Sequence, residues 1–580
     1  MSAILAVTVA AVPVVSPAQG ARAQQPSGGT FTAETNLVLV PVVVTDKSGQ
    51  HVSGLQTSDF SLLEDKKPQK IASFEEIKEP GGRFERAAPQ PGQYTNTVAS
   101  PSTGHGITVI VLDVVNTPFL DQAYAREQLL KFLVNNVNSR EPTELIMITR
   151  RGVRVVHDFT TNTAVLIAAL RKVTGETPTL LLDTSSGVQL GGNAEDVVNK
   201  EVSALDEFYR GQDMGFGAFQ ITAAMETTLF ALSDIAQGLE GVPGRKSLLW
   251  ATGGFPFDLT ANGELAALRY YSAGATRQEL GGRFAGGTLS GGGLPPLPES
   301  NAATRDDELA ALQPLFQRTM QALNHANIAI YPIDARGLVA YSSASVSRVR
   351  INDVYGTEAQ THTTMNDIAS TTGGRAYYNT NDIAGAFAEA LNDSTRYYML
   401  AYYAPGAKKP GWRKLQVSVG RPGLNVRARA GYMAGVAVKK PEDLSRLDVR
   451  TALRSPLDYT AVPLWLHWYG QPAAGTGIKK KVPFAIFIPP QGSAIDTGAN
   501  NRVSLEIVAV ARNAQGEIAG RFGQRVEDNL KDDAAKRVAA EGINFSESIE
   551  VPPGQYSVRF VVRDNVSGRV GSVAAPLKVQ

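Results

Sequence analysis

Gly106-Ile107-Thr108-Val109-Ile110-Val111-Leu112-Asp113-Val114-Val115-Asn116-Thr117 decides the fold. The run from Gly106 to Leu112 lacks the in–out alternation of a half-exposed strand and ends on a carboxylate. A parallel strand covered on both faces reads this way. From Leu120 to Val134 the apolar residues fall at helical spacing: Leu120, Ala123, Leu129, Leu130, Phe132 and Leu133. Further on, strand patterns at Glu144–Thr149, Val153–His157, Lys246–Thr252, Ile328–Ile333 and Arg375–Tyr378 are interspersed with helical ones. The helical patterns cover Asn162–Val173, Ile221–Leu239, Asp307–Ala326, Thr363–Thr372 and Asp382–Leu391. Strands and helices in this order predict a doubly wound, mostly parallel α/β sheet over residues 106–395. Two insertions interrupt it, 174–215 and 255–303, the second holding a Gly- and Pro-rich stretch over 281–303.

Outside this region the pattern is β. Residues 36–79 carry strand signals at Asn36–Thr45, Phe60–Glu64 and Lys70–Glu75. Residues 396–435 carry three more, at Tyr398–Tyr403, Arg413–Val419 and Asn425–Ala430. Each set is too small to bury a core, so the two are expected to pair with one another. Residues 80–105 and 436–459 read as linkers. Residues 460–580 hold about six strand patterns at the spacing of a β-sandwich.

The chain has 580 residues, 43% hydrophobic and 19% charged, with a formal net charge of +1. Several domains are expected at this length. The charge balance gives no field that would gather nucleic acid or an anionic membrane. Cysteine is absent, which excludes disulfides, thiolate metal sites and cysteine nucleophiles. Residues 1–23 read as a signal peptide: an apolar run from Ala3 to Val15, then Ala21-Arg22-Ala23 as a cleavage site. No Lys or Arg precedes the run, which departs from the ordinary signal. Residues 24–35 form a polar linker. No segment has the length and apolarity of a transmembrane anchor. The expectation is an exported protein, periplasmic or extracellular.

Several stretches resemble a known group. Ile107–Thr117 with the helix after it resembles the first strand, top loop and first helix of a von Willebrand factor A domain. Gly244-Arg245-Lys246-Ser247-Leu248-Leu249-Trp250 resembles that fold's fourth strand. Val43–Gly49, Tyr331–Leu338 and Arg421–Tyr432 are similar to the exported A-domain-related proteins of Acidobacteria. The resemblance spans roughly residues 35–435 and implies a fold class: an A-like α/β core, Rossmann-like, with flanking β segments and a C-terminal β-sandwich. It implies no substrate.

Adhesive A domains hold Mg²⁺ or Mn²⁺ on a D-x-S-x-S loop, a Thr from a second loop and an Asp after the fourth strand. Hard cations need such an oxygen shell. Here the first loop is Asp113-Val114-Val115-Asn116-Thr117, so Asp113 and Thr117 match, Val115 cannot ligate, and Asn116 is a substitute donor. Thr222 stands for the second-loop Thr. Gly253, in Thr252-Gly253-Gly254, occupies the Asp position. This is a degenerate set, and the expectation is no cofactor, with Mg²⁺ or Mn²⁺ as the alternative. On the other reading, Asp113 and Thr117 cap the following helix and satisfy loop amides. A second D-x-S-x-G pattern, Asp183–Gly187, falls inside an insertion and reads as a loop turn.

Catalytic motifs are missing. Gly241–Ser247 has the wrong spacing for a phosphate loop and precedes a strand rather than a helix. The six histidines are scattered, and no G-x-S-x-G elbow occurs. The sequence therefore points to a non-enzymatic binding or adhesion module. Its binding loops would be built from Asp113, Asn116, Thr117, Thr252, Gly253 and Gly254, toward a protein or glycan partner. A cation-dependent adhesin and an unrecognised hydrolase or transferase are the alternatives.

Overall fold

A computed structural model describes residues 36–77, 92–97, 106–135, 141–175, 223–254, 315–338, 358–404, 411–434 and 441–580. The signal segment, the 24–35 linker, Thr222, Asp183–Gly187, the 255–303 insertion and nearly all of the 174–215 insertion lie outside these residues. Within them the chain is rich in β structure, with 22 strands in five sheets.

In chain order, β1 (Asn36–Thr45), β2 (Phe60–Glu64), β3 (Lys67–Pro68) and β4 (Ser73–Ile77) open the fold, and β5 (Gln93–Thr95) follows. The platform comes next: β6 (Ile107–Asp113), α1 (Phe119–Asn135), β7 (Thr143–Thr149), β8 (Gly152–Thr160), α2 (Thr163–Arg171), α3 (223–239), β9 (Lys246–Thr252), α4 (315–325), β10 (Ile328–Asp334), α5 (Glu358–Thr372) and α6 (Ile383–Thr395). Four strands then return to the N-terminal segment: β11 (Tyr397–Ala404), β12 (Gly411–Val419), β13 (Asn425–Ala428) and β14 (Gly431–Ala434). After α7 (Pro441–Arg454) come β15 (Trp465–Trp468), β16 (Ala473–Ala474), β17 (Lys480–Ile488), β18 (Arg502–Arg512) and β19 (Ile518–Asn529). A short helix, α8 (Asp532–Glu541), precedes β20 (Ile543–Val551), β21 (Gly554–Asp564) and β22 (Val570–Val579).

The platform sheet has the order β10-β9-β6-β7-β8. Its β10–β9, β9–β6 and β6–β7 pairings are parallel, and the edge strand β8 is antiparallel. The four mutually parallel strands are buried at every residue because both faces are covered. Val109, Val111, Ile146, Leu248 and Trp250 face α3 and α4 in one core. Their sequence neighbours Ile110, Leu112, Leu145, Leu249 and Ala251 face α1, α2 and α6 in another. Each of the Val, Ile and Leu side chains among them stabilises the sheet by roughly 1.5–3 kcal/mol. Pro332 sits within β10, which pairs with β9 on one side only, so its missing amide costs no ladder bond. On the outer side Tyr377 donates its amide to the Pro332 carbonyl and accepts from the Asp334 amide. The strand expected at Arg375–Tyr378 is therefore a single bridge, Ile333 to Tyr377.

The flanking segments pair with each other. β1 lies between β11 and β13, and β12 lies between β2 and β14, giving two four-stranded antiparallel sheets around one core. Two stretches read as linkers contain structure. Residues 441–454 form α7, and Gln93–Thr95 form β5, which pairs with β15 in the C-terminal sandwich. A three-residue strand shows no periodicity, and burial of Asn96 holds it in place. Asn96 donates to the carbonyls of Tyr459 and Val462 and accepts from the Leu464 amide at 2.9 Å. The sandwich packs β5-β15-β17-β20 against β19-β18-β21-β22.

Candidate functional site

The carboxyl ends of the platform strands place Asp334, Thr252 and Asp113 side by side across β10, β9 and β6. Asp113 is buried and accepts five hydrogen bonds. Its Oδ1 takes the amides of Val115 and Asn116, each at 3.1 Å. Its Oδ2 takes Asn116 Nδ2 at 2.8 Å, Thr252 Oγ1 at 2.9 Å and Trp250 Nε1 at 3.2 Å. Burial pushes the Asp113 carboxyl above its ordinary range, and the donors from Asn116, Thr252 and Trp250 oppose that rise.

The cation reading does not fit this geometry. Both Asp113 oxygens are occupied by donors. Asn116 turns its Nδ2 group, not its carbonyl, toward Asp113, and also donates to Thr228 Oγ1 at 2.8 Å. Thr117 Oγ1 accepts the Gly253 amide at 2.9 Å and so braces β9's loop. At Gly253 a side chain has no room: a Cβ there would stand 2.8 Å from the Asn116 carbonyl oxygen. The two loops press together where the second carboxylate of an adhesive site would project. Among the described residues no group of three or more His, Asp or Glu side chains is placed to hold a metal ion.

Thr222 lies outside the described residues. The threonine that reaches this centre is Thr228 on α3, buried, with its hydroxyl donating to the Ala224 carbonyl. Its signal in the sequence is a polar residue on the helical stripe Ala224, Leu232 and Ile235, which demands a partner. Gly254 sits against Thr361 of α5, within the same crown.

A second cluster was not anticipated. Arg336 binds Asp334 with both arms of its fork, at 3.0 and 2.8 Å. His362 Nε2 lies 3.4 Å from Asp334 Oδ2, and its ring stacks on Tyr378 at 4.0 Å between centroids. Burial alone would raise the Asp334 carboxyl, but His362 and Arg336 hold it below the ordinary range. The signal was present: the apolar run Ile328–Ile333 ends on a carboxylate just as Ile107–Leu112 does. Two large apolar side chains stand exposed at this end of the platform. Phe119 at the start of α1 is 56% exposed and Leu338 beyond β10 is 57% exposed.

No family model matches the chain and no curated protein sequence does, so the likeness to the Acidobacterial proteins rests on its local patterns alone. Among solved structures, the chain is similar to the vWF domain of the type V pili tip protein Mfa5 from Porphyromonas gingivalis. Identity is 13% over 51% of this chain and 97% of that one, with a TM-score of 0.24. It is similar to the pilus adhesin SpaC from Lactobacillus rhamnosus GG at 9% identity, over 92% of this chain and 58% of that one, with a TM-score of 0.25. A β-glucuronidase from Bacteroides uniformis aligns at 9% identity over 32% of this chain, with a TM-score of 0.15, and the chain spans 19% of that protein's length. Scores this low carry neither fold nor function across. No helix among the described residues is long and apolar enough to cross a membrane.

Proposed function

We propose that the chain is an exported, non-catalytic binding module whose middle region is a von Willebrand factor A-like platform. Its crown would engage a protein or glycan partner outside the cytoplasm. The observation that carries the reading is the pairing of two exposed apolar side chains, Phe119 and Leu338, with a centre whose two carboxylates, Asp113 and Asp334, are spent on neighbouring donors. Large apolar groups on the rim of a rigid scaffold supply contact area. A carboxylate with five donors and another locked to an arginine supply neither a free base nor a nucleophile. The sheet order, with helices on both faces, supports the A-like assignment.

The test uses the full chain, immobilised and challenged with envelope extract and with culture supernatant. The double variant Phe119→Ser, Leu338→Ser is expected to lose the species that the wild type retains. Identical retention by both proteins would sink the proposal.

A further inference from the structure

Exposed apolar residues gather at one end of the C-terminal sandwich. From residue 460 onward three large apolar side chains are exposed, Tyr469, Ile478 and Ile518. β16 and β17 join through a tight turn. In it the Gly475 amide donates to the Lys479 carbonyl at 3.0 Å, and the Lys479 amide to the Thr476 carbonyl at 3.1 Å. Gly477 holds φ at +63° there, so a closed turn carries Ile478 at its tip, 78% exposed. Tyr469 stands beside the same strand, its amide donating to the Pro483 carbonyl at 3.3 Å. Ile518 opens β19 just before Gly520, where a Cβ would stand 2.4 Å from the Glu550 carbonyl oxygen. Glu550 in turn lies opposite Lys481 of β17. The three apolar side chains therefore share one end.

Behind the tip comes a run of cations. Lys479, Lys480 and Lys481 follow Ile478 directly, and residues 469–481 hold no carboxylate side chain. Glu550 stands 3.8 Å from Lys481. Glu517, at the start of β19, accepts from Asn513 Nδ2 at 2.9 Å. Among the described residues no carboxylate lies in ion-pair range of Lys479 or Lys480. The balanced charge of the whole chain thus hides a local cationic excess. At about 3.3 Å per residue, the three lysines stand within ~10 Å of the tip. The layers run in order: an aliphatic point, a phenol at its flank, ammonium groups behind. Lysine stems lie along apolar surface and carry their charge outward. An anionic bilayer has the complementary layers, phosphates outside and hydrocarbon beneath, and shallow apolar insertion reaches about 5–10 Å into it. A nucleic acid offers the charge with no apolar layer under it, and a convex tip encloses no small ligand. We propose that this end of the sandwich docks on the surface of an anionic bilayer, with Ile478 entering the interface and Lys479 and Lys480 pairing with lipid phosphates. The contact needs no spanning segment and is independent of the crown.

Co-sedimentation of the full chain with sucrose-loaded vesicles tests the proposal, using phosphatidylcholine alone or mixed with phosphatidylglycerol. The wild type is expected to sediment with the mixed vesicles, to stay in solution with phosphatidylcholine alone, and to be released by high salt. Lys479→Gln combined with Lys480→Gln is expected to weaken binding about fivefold for each lysine removed. Ile478→Ser removes an exposed side chain and keeps the fold, and is expected to weaken binding roughly tenfold. Ile478→Trp is expected to bind at least as well as the wild type. Its emission, less that of the wild type, is expected to shift to the blue on mixed vesicles as the indole leaves water. A heparin column is the second arm and separates a soluble polyanion from a lipid surface. Five outcomes would overturn the proposal: no sedimentation with mixed vesicles, equal sedimentation with both vesicle types, unchanged binding in the lysine variant or in Ile478→Ser, no blue shift in Ile478→Trp, or retention on heparin without vesicle binding.

Discussion

Five donors converge on the Asp113 carboxylate, and that number governs what happens when it is removed. Asp113→Ala orphans the buried amides of Val115 and Asn116 and takes an acceptor from the Trp250 indole, from Asn116 Nδ2, which keeps Thr228 Oγ1, and from Thr252 Oγ1, which keeps the Gly254 carbonyl. Each such orphan costs about 1–3 kcal/mol, though the costs do not add fully. The expected loss is roughly 3–5 kcal/mol in urea denaturation, and a loss below about 1 kcal/mol would show that the network is not structural. Calorimetric titration of the wild type with Mg²⁺, Mn²⁺ or Ca²⁺ is expected to give no binding heat, because a cation would have to displace these donors. Gly253→Asp would return the missing carboxylate in name only. Its side chain would meet the Asn116 carbonyl, so the variant is expected to lose stability and gain no cation affinity, read by the same titration. The centre was half legible. Asp113 and Thr117 announce themselves by ending a buried strand and opening a helix. Thr228, Asp334 and His362 reach the crown from other elements, and no local pattern encodes pairings formed by the folding of distant segments.

Elements buried on both faces were the easiest to read, because uninterrupted runs such as Val109–Leu112 and Leu248–Ala251 suit a parallel sheet packed between helices. The pairing of the N-terminal β segment with the strands after the platform followed from size alone: neither set could bury a core. β5 was not legible. Three residues carry no period, and Gln93–Thr95 become a strand only because Asn96 fastens the chain to the first turns of the C-terminal sandwich. Asn96→Ala removes an acceptor for the Leu464 amide and donors for two carbonyls in a buried place. The expected cost is about 2–4 kcal/mol. Native-state hydrogen exchange at β15 is expected to quicken while the platform strands keep their protection. Unchanged exchange at Leu464–Trp468 would mean that β5 is a passenger on the sheet.

The platform and the sandwich are joined as one body through α3 and the segment 455–460. Tyr459 donates its hydroxyl to Asp234, the Gly241 amide donates to Thr460 Oγ1 at 2.8 Å, and Thr460 Oγ1 donates to the Gly238 carbonyl at 2.9 Å. Leu457 enters the platform core from the sandwich side. Contact at Gly241 is close enough that a Cβ would stand 1.9 Å from the Thr460 carbonyl oxygen, so Gly241→Ala is expected to part the two units and split one thermal transition into two. The joint also carries a pH dependence. Asp234 keeps a little exposed surface, yet protein atoms strip most of its water, and this desolvation pushes its carboxyl up to about 6 against the pull of Tyr459, Ser455 and Arg559. Between pH 4 and pH 6 the folded state therefore holds a proton on Asp234 that the unfolded chain has released. Stability from this group is present below pH 4 and falls as pH rises through 6, by at most about 3 kcal/mol. Asp234→Asn cannot ionise and keeps an oxygen for the Tyr459 hydroxyl. Its stability relative to wild type is expected to rise between pH 4.5 and pH 7.5 in paired urea denaturations, with other titrations cancelling in the difference. The opposite trend, with the wild type gaining over Asp234→Asn as the pH increases, would mean that attraction to Arg559 outweighs the loss of water and that the joint is held by charge rather than in spite of it.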